Sequence, residues 1–172
     1  MSQRMKYKVL FLGSGNCARS IMAEAILHHE GGERFEAYSA GIQAHEELDP
    51  RAVDLLRQMH LEAPHAPMNW VELANESAPV FDFIFTVADE AMLLPRAMWR
   101  GNPIFAHWGV VDPAAAQGNE SQMRLAYADA FRMLSNRIKI FVNLPLRSLD
   151  LLTMQREVDL IGANAKTQVV AA

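Results

Sequence analysis

The stretch that decides the fold runs from residue 8 to residue 20 and reads Lys8-Val9-Leu10-Phe11-Leu12-Gly13-Ser14-Gly15-Asn16-Cys17-Ala18-Arg19-Ser20. An apolar strand passes into a loop of small residues, and the loop ends on an arginine and a serine at the start of an Ala- and Met-rich helix. Small residues allow successive backbone N–H groups to converge on one point, which the positive end of the helix dipole also faces. Arg19 can add a bidentate guanidinium contact. The stretch therefore predicts a binding site for a tetrahedral oxyanion.

Length and charge are those of an ordinary globular protein. The chain has 172 residues, of which 51% are hydrophobic, and a net charge of −4. This length allows one domain with a sizeable core, and no segment has the composition of a linker. We therefore expect a single domain over residues 1–172, with a core over about 7–161 and a loose tail over 162–172. The acidic balance argues against a nucleic-acid partner.

Cysteine usage and the apolar segments bear on the cellular location. No apolar run approaches the roughly 18 residues of a membrane span, and the segment from Met1 to Arg4 lacks the features of a secretory leader. The single cysteine, Cys17, excludes an internal disulfide and fits a reducing compartment. We expect a cytoplasmic protein without a membrane partner.

Strand-like and helix-like segments alternate along the chain, which predicts an α/β doubly wound domain: a four-stranded parallel sheet with helices on both faces. The expected strands are residues 7–12, 35–40, 80–87 and 103–108, and the expected helices are residues 19–30, about 50–59, 119–142 and about 146–161. The third strand is apolar almost throughout and should be central. In the longest helix, the side chains expected to face inward are those of Leu125, Ala128, Phe131, Met133, Leu134, Ile138 and Phe141.

Four segments follow the expected strand ends. They are the loop from Gly13 to Ser20, Ser39-Ala40-Gly41, residues 86–91 and residues 108–113. In a doubly wound sheet, ligands bind beyond the carboxyl ends of the strands. We therefore expect these segments to line one crevice.

These blocks together resemble the low-molecular-weight protein tyrosine phosphatases and the arsenate reductases related to them. The resemblance spans roughly residues 7–160 and rests on Gly15-Asn16, Arg19-Ser20, Met22-Ala23-Glu24-Ala25, Ser39-Ala40-Gly41, Phe85-Thr86-Val87 and His107-Trp108-Gly109 with Asp112-Pro113-Ala114. The His-Trp-Gly segment is most similar to the arsenate reductase branch. In the family's loop, C-x5-R-S, a nucleophilic cysteine stands where this chain has Gly13.

The resemblance implies a role for each loop residue. It implies that the oxyanion is bound by Gly13, Ser14, Gly15, Asn16, Cys17, Ala18, Arg19 and Ser20. It also implies that Asn16 and Ser39 support the loop and that Asp112 is the general acid of an active member. The reductases carry a further cysteine in a Thr-Val-Cys-Asp segment, which here reads Thr86-Val87-Ala88-Asp89. Some relatives hold a potassium ion, but the carboxylate of that site corresponds to Asn69 here, so we predict no metal.

With two cysteine positions lost, we expect a pseudoenzyme that binds phosphate, arsenate or sulfate and needs no cofactor. A phosphorylated protein is a further candidate partner. One alternative is an active phosphatase or thiol-dependent arsenate reductase that uses Cys17 or an external thiol. Cys17 lies two residues before Arg19, however, and its side chain should not point along the line of attack. Another alternative is a structural subunit with a vestigial loop.

Several histidines have simpler interpretations. His107 is expected to pack at a strand end rather than to act as a base. His28 and His29 are adjacent on a helix, where neighbouring side chains diverge by about 100°, which argues against a shared metal ion.

Overall fold

The structure, a computed structural model, describes the backbone of residues 5–170 and the side chains of residues 5–163. Its centre is a parallel sheet with the order β2-β1-β3-β4, formed by β1 (Tyr7–Gly13), β2 (Phe35–Gly41), β3 (Phe83–Thr86) and β4 (Ile104–His107). The helices are α1 (Arg19–Gly31), α2 (Pro50–Gln58), α3 (Glu120–Val142) and α4 (Leu151–Val170). The predicted α/β class with four parallel strands is confirmed.

The register of the sheet brings all four strands to an end at the same edge. Gly13 pairs with Gly41, Leu12 pairs with Thr86, and Thr86 pairs with His107. The segments that leave these strand ends therefore start side by side. This edge is where the predicted crevice should lie.

Alternate residues of β1 enter two different cores. Val9 and Phe11 face the core to which all four α-helices contribute. Leu10 and Leu12 face a smaller core, which short 3₁₀ helices and loops cover, including the 3₁₀ helices Trp70–Leu73 and Asp89–Leu93. The second face of the sheet is thus covered by 3₁₀ turns and not by long helices. Both faces are still protected from water, as a parallel sheet requires.

β3 has the central position that its apolar sequence predicts, but it is shorter than expected. It covers Phe83–Thr86 instead of residues 80–87. Val80 is 45% exposed and Phe81 packs into the smaller core. The carboxylate of Asp82 accepts a hydrogen bond from Lys8 N at 2.8 Å, which ties the approach to β3 onto β1.

The inward face of α3 differs from the expected one in its first three turns. Leu125 is 60% exposed and Ala128 is also exposed, so both predictions are wrong. Tyr127 and Ala130 are buried in their place. The cause is a contact that residue hydrophobicity does not predict: the Tyr127 hydroxyl donates to Asp49 at the start of α2.

The carboxyl-terminal helix also departs from the prediction. A 3₁₀ turn, Leu146–Ser148, follows Pro145, and α4 begins only at Leu151, where the Asp150 carboxylate accepts from Thr153 N at 2.7 Å. The helix then continues to Val170. The tail that was expected to be loose from residue 162 is therefore helical as far as Val170. Residues 171–172 lie outside the described residues. None of the described helices combines the length and the apolar character needed to cross a bilayer.

Candidate oxyanion-binding site

The loop between β1 and α1 surrounds a small open cavity at the carboxyl edge of the sheet. The cavity measures about 60 Å³ and is lined by residues 13–20 together with His45, Asp112 and Ala114. A single water molecule needs roughly 10–15 Å³ on the same measure, so the cavity is larger than one water molecule. α1 begins at Arg19 without a side-chain cap, so the N–H groups of its first turn are free to meet a ligand. The predicted loop residues thus surround one space.

Hydrogen bonds from the segment after β2 orient the peptide groups of this loop. Loop carbonyls accept from residues 42–49 in four bonds of 2.8–3.1 Å: Gly13 from Ile42, Ser14 from Gln43, Gly15 from His45, and Cys17 from Asp49. In a trans peptide the N–H points opposite to the carbonyl. The N–H groups that follow these carbonyls therefore point away from residues 42–49 and are available to an anion.

Gly41 is where β2 meets the loop, and its lack of a side chain is required there. A Cβ at this position would lie 2.7 Å from Asn16 N and 2.8 Å from Ser14 O. Both are backbone atoms, which cannot move without deforming the loop. The Ser39-Ala40-Gly41 block therefore contributes close backbone contact at Gly41 and a hydroxyl at Ser39.

The Asn16 side chain joins the loop to three neighbouring parts of the chain by hydrogen bonds. Its backbone lies in the left-handed region, with φ of 50°, and the residue is 2% exposed. The amide nitrogen donates to Ser39 Oγ at 2.8 Å and to Ser20 Oγ at 2.9 Å, and the amide oxygen accepts from Met68 N at 2.7 Å. The two residues proposed for loop support, Asn16 and Ser39, are therefore in direct contact.

Arg19 reaches from the first turn of α1 across the loop. Its Nη1 donates to Val110 O at 2.9 Å, and its Nη2 donates to Ser14 Oγ at 3.2 Å. Asp112 Oδ2 lies 3.7 Å from Nη2. The Arg19 side chain is only 10% exposed and the Asp112 side chain is 42% exposed. A cation therefore lies at the floor of the cavity and a carboxylate at its open side.

Arg137 supports the segment that carries Val110 and Asp112. This α3 residue is 2% exposed, and its Nη1 donates to Trp108 O at 2.7 Å and to Gly109 O at 3.2 Å. Burial lowers the pKa of Arg137 to about 10, so it stays charged at neutral pH. No sequence-based prediction included Arg137, although an arginine on the same helical face as Leu134, Ile138 and Phe141 is a usable signal.

Cys17 lies at the cavity as a half-buried free thiol. Burial raises the pKa of this thiol, and the nearby carboxylates of Asp49 and Asp112 raise it further, while Arg19 lowers it. The net shift is upward, so the thiolate is disfavoured at neutral pH. A reactive cysteine needs the opposite shift.

Glu24 lies on α1 beneath the loop, next to Ser39. Burial raises the pKa of its carboxyl to about 7, against the opposing effect of hydrogen bonds with Ser39. This titratable group was not among the sequence-predicted site residues. It is the one acidic side chain on the face of α1 that carries Ile21, Met22 and Ala25 into the core.

His107 is placed away from the loop cavity. Its Nδ1 lies 2.7 Å from Thr86 Oγ1 and its Nε2 lies 3.0 Å from Asp89 Oδ1. It links the ends of β3 and β4, as expected for a packing residue at a strand end. His28 and His29 are exposed, and no group of three or more His, Cys, Asp or Glu side chains within the described part of the chain is arranged to hold a metal ion.

His45 also lines the cavity, and it was not among the residues predicted from the sequence. The chain reverses direction after β2, and the hydrogen bond from His45 N to Gly15 O brings this residue to the cavity mouth. No short motif marks it, because its position depends on how residues 42–49 pack onto the loop.

Comparisons with known proteins agree with this geometry. The family profile described as "Low molecular weight phosphotyrosine protein phosphatase" matches residues 8–149. Arsenate reductases are among the relatives. That of Oceanobacillus iheyensis is 31% identical in an alignment of 147 residues that covers 82% of this chain and 96% of the relative. That of Bacillus subtilis is 31% identical over 140 residues, with 80% and 96% covered.

Solved structures show the same fold. The arsenate reductase of Archaeoglobus fulgidus superposes with a TM-score of 0.65 at 29% identity, covering 79% of this chain and 99% of that one. A tyrosine phosphatase of Erwinia amylovora superposes with a TM-score of 0.62 at 21% identity, covering 81% and 93%. The profile match covers most of the chain, and the loop with Arg19 lies within it.

Proposed function

The chain belongs to the low molecular weight phosphotyrosine protein phosphatase family, and on that basis we propose that it binds a tetrahedral oxyanion and has lost the family's thiol chemistry. The ligand class is phosphate, arsenate or sulfate, with a phosphorylated protein as a further candidate partner. The observation that carries the proposal is the loop from Gly13 to Ser20, whose carbonyls are engaged by residues 42–49 while Arg19 lies beside the cavity. Inward N–H groups, a helix start and a guanidinium together suit an anion.

Loss of catalysis follows from the residue at the start of the loop. In phosphatases of this family, a thiolate at that position attacks phosphorus, as the resemblance implies, and Gly13 has no side chain to do so. Cys17 is a poor substitute because its thiol pKa is raised. Asp112 lies at the open side of the cavity, where an acid could protonate a leaving group. Without a nucleophile to attack phosphorus, however, no leaving group departs and the acid has no step to catalyse.

A calorimetric titration tests the binding. Wild-type protein should bind phosphate and arsenate with one site per chain, and Arg19→Ala should abolish binding, because the guanidinium is the main cation at the cavity. Arg132→Ala is the matched control, since Arg132 is an exposed arginine of α3 with a 63% exposed side chain. Unchanged binding by Arg19→Ala would overturn the proposal and favour a structural subunit with a vestigial loop.

A second candidate function is an active enzyme that uses Cys17 or an external thiol, because Cys17 does line the cavity. Reduction of arsenate to arsenite consumes two electrons, and a chain with one cysteine can supply them only by forming a mixed disulfide with an outside thiol. Arsenite production with added glutathione that is lost in Cys17→Ser would establish this candidate. Absence of arsenite in both proteins would exclude an arsenate reductase, and absence of aryl phosphate hydrolysis in both would exclude a phosphatase.

A single domain over residues 1–172 and a cytoplasmic location stay predictions.

A further inference from the structure

His45 packs directly on the loop at the mouth of the cavity. Its backbone N–H donates to Gly15 O at 2.8 Å. The ring edge faces Gly15 so closely that a Cβ on that glycine would lie 2.5 Å from His45 Nε2. The imidazole is exposed to solvent, and its ring nitrogens have no hydrogen-bond partner among residues 5–163 in the structure. An unengaged donor thus lies at the rim of an anion cavity.

We propose that His45 binds the outward oxygen of the ligand and makes the site selective for a free inorganic oxyanion over a phosphate monoester. This inference rests on the proposed function of the loop. The loop N–H groups and Arg19 account for the oxygens that face inward. The remaining oxygen faces the mouth, which His45 and Asp112 line.

The chemistry at the mouth differs between the two ligand classes. In a free oxyanion, the outward oxygen is terminal and accepts a hydrogen bond from an imidazole N–H. In a monoester, that oxygen carries the organic group, which would lie beside His45 where the cavity opens. The ester would therefore lose the hydrogen bond from the His45 imidazole.

The charged and titratable groups that face His45 across the cavity are Arg19, Cys17 and Asp112. Glu46 and Glu47 follow it in the chain and are exposed. Burial raises the pKa of the Glu24 carboxyl to about 7. A comparison of wild type with a His45 variant at one fixed pH keeps the contribution of these other groups the same in both proteins.

Sulfate is the probe for this test because it is a free dianion without an ester group. At pH 8 we expect wild type to bind sulfate about tenfold more tightly than His45→Ala, because the variant lacks the imidazole N–H contact with the charged ligand. His29→Ala is the control, because His29 is exposed ten residues along α1 from Arg19, about 15 Å away. Equal sulfate affinity of wild type and His45→Ala would overturn the role of His45.

The selectivity is tested with phosphate and methyl phosphate at pH 8, where both are dianions. Wild type should bind phosphate about tenfold more tightly, and His45→Ala should narrow that difference. Equal affinity of wild type for the two ligands would overturn the proposed selectivity. Phosphate binding that survives Arg19→Ala would instead contradict the proposed function of the loop, so the two failures are distinguishable. His45 is exposed, so the His45 variants should unfold at the wild-type temperature.

Discussion

The hydroxyl of Ser20 stands in the space beside Gly13 that a side chain would need. A Cβ on Gly13 would lie 2.9 Å from Ser20 Oγ and 3.2 Å from Ser20 Cβ. Ser20 is 1% exposed, and Asn16 Nδ2 donates to its hydroxyl at 2.9 Å. A thiol introduced at position 13 must therefore move a hydroxyl that the loop's hydrogen-bond network holds in place.

The first prediction concerns turnover of an aryl phosphate. Removing a nucleophile from an intact site costs on the order of 10⁴ to 10⁶ in rate, so wild type should be nearly inactive and Gly13→Cys should gain about 10⁴ or more. The gain requires Ser20 to shift by a few tenths of an ångström, at a cost in stability of about 1 kcal/mol. The measurement is steady-state p-nitrophenyl phosphate hydrolysis.

Two controls accompany this gain. Adding Asp112→Asn to Gly13→Cys should lower the rate, because the leaving group then lacks its acid, while adding Cys17→Ser should leave it unchanged. Wild-type turnover at the level of Gly13→Cys, lost on Cys17→Ser, would show that Cys17 is the nucleophile and that the chain is an active enzyme.

The second prediction is that Asn16 maintains the loop. Asn16→Ala removes three side-chain hydrogen bonds and leaves a Cβ-bearing residue at φ of 50° without them. We expect a loss of about 3 kcal/mol in the free energy of unfolding and loss of phosphate binding. Urea unfolding and calorimetry measure both. Asn136→Ala, at an exposed position of α3, is the control, and normal phosphate binding by Asn16→Ala would contradict the prediction.

The third prediction is a pH dependence of stability due to Glu24. Its folded-state pKa is about 7, against an ordinary value of 4.5. Between these values the native carboxyl keeps a proton that the unfolded chain has lost, so this group lowers stability as the pH rises from about 4.5 to about 7. Glu24→Gln should equal wild type near pH 4 and exceed it at pH 8 by up to about 3 kcal/mol.

Urea unfolding of wild type and Glu24→Gln at each pH gives the difference between their free energies of unfolding. The other titrating groups contribute equally to both proteins and do not affect this difference. Glu33→Gln, at an exposed position in the 3₁₀ turn after α1, should show no such trend. A wild-type protein that is more stable than Glu24→Gln at pH 8 would contradict the assignment.

The sequence predicted the sheet and the loop because both depend on local patterns. The conformation of the apolar run in β3, and that of the small residues before Arg19, depends mainly on residues nearby in the sequence. His45, Arg137 and Leu125 were missed or misplaced for the opposite reason. The position of His45 depends on packing between residues 42–49 and the loop, and the orientation of α3 depends on Tyr127 meeting Asp49, which lies 78 residues away in the chain.

Glu24 illustrates a further limit of the sequence. Glu24 follows Met22-Ala23 in a block typical of the family. Its pKa is raised by burial beside Ser39, which lies on β2. Residue type and spacing indicate which groups can titrate. The size of a pKa shift depends on how much water the fold removes.

The last prediction is that the missing cysteine strengthens anion binding. A thiolate and a bound dianion about 4 Å apart repel by about 4 kcal/mol per unit charge pair at an effective dielectric near 20, before relaxation and protonation reduce the effect. Gly13 removes that repulsion, because it places no thiolate beside the ligand. A net gain of about 1–2 kcal/mol, or about tenfold in Kd, should remain. Calorimetric titration with phosphate at neutral pH should therefore show wild type binding more tightly than Gly13→Cys.

Gly13→Ser separates the effect of charge from the effect of bulk, because it places a neutral hydroxyl where Gly13→Cys places a thiol. If repulsion dominates, this variant binds nearly as well as wild type, and Gly13→Cys recovers affinity for sulfate as acid protonates the thiol. Tighter phosphate binding by Gly13→Cys than by wild type would show that a thiol at position 13 favours anion binding, and it would contradict this prediction.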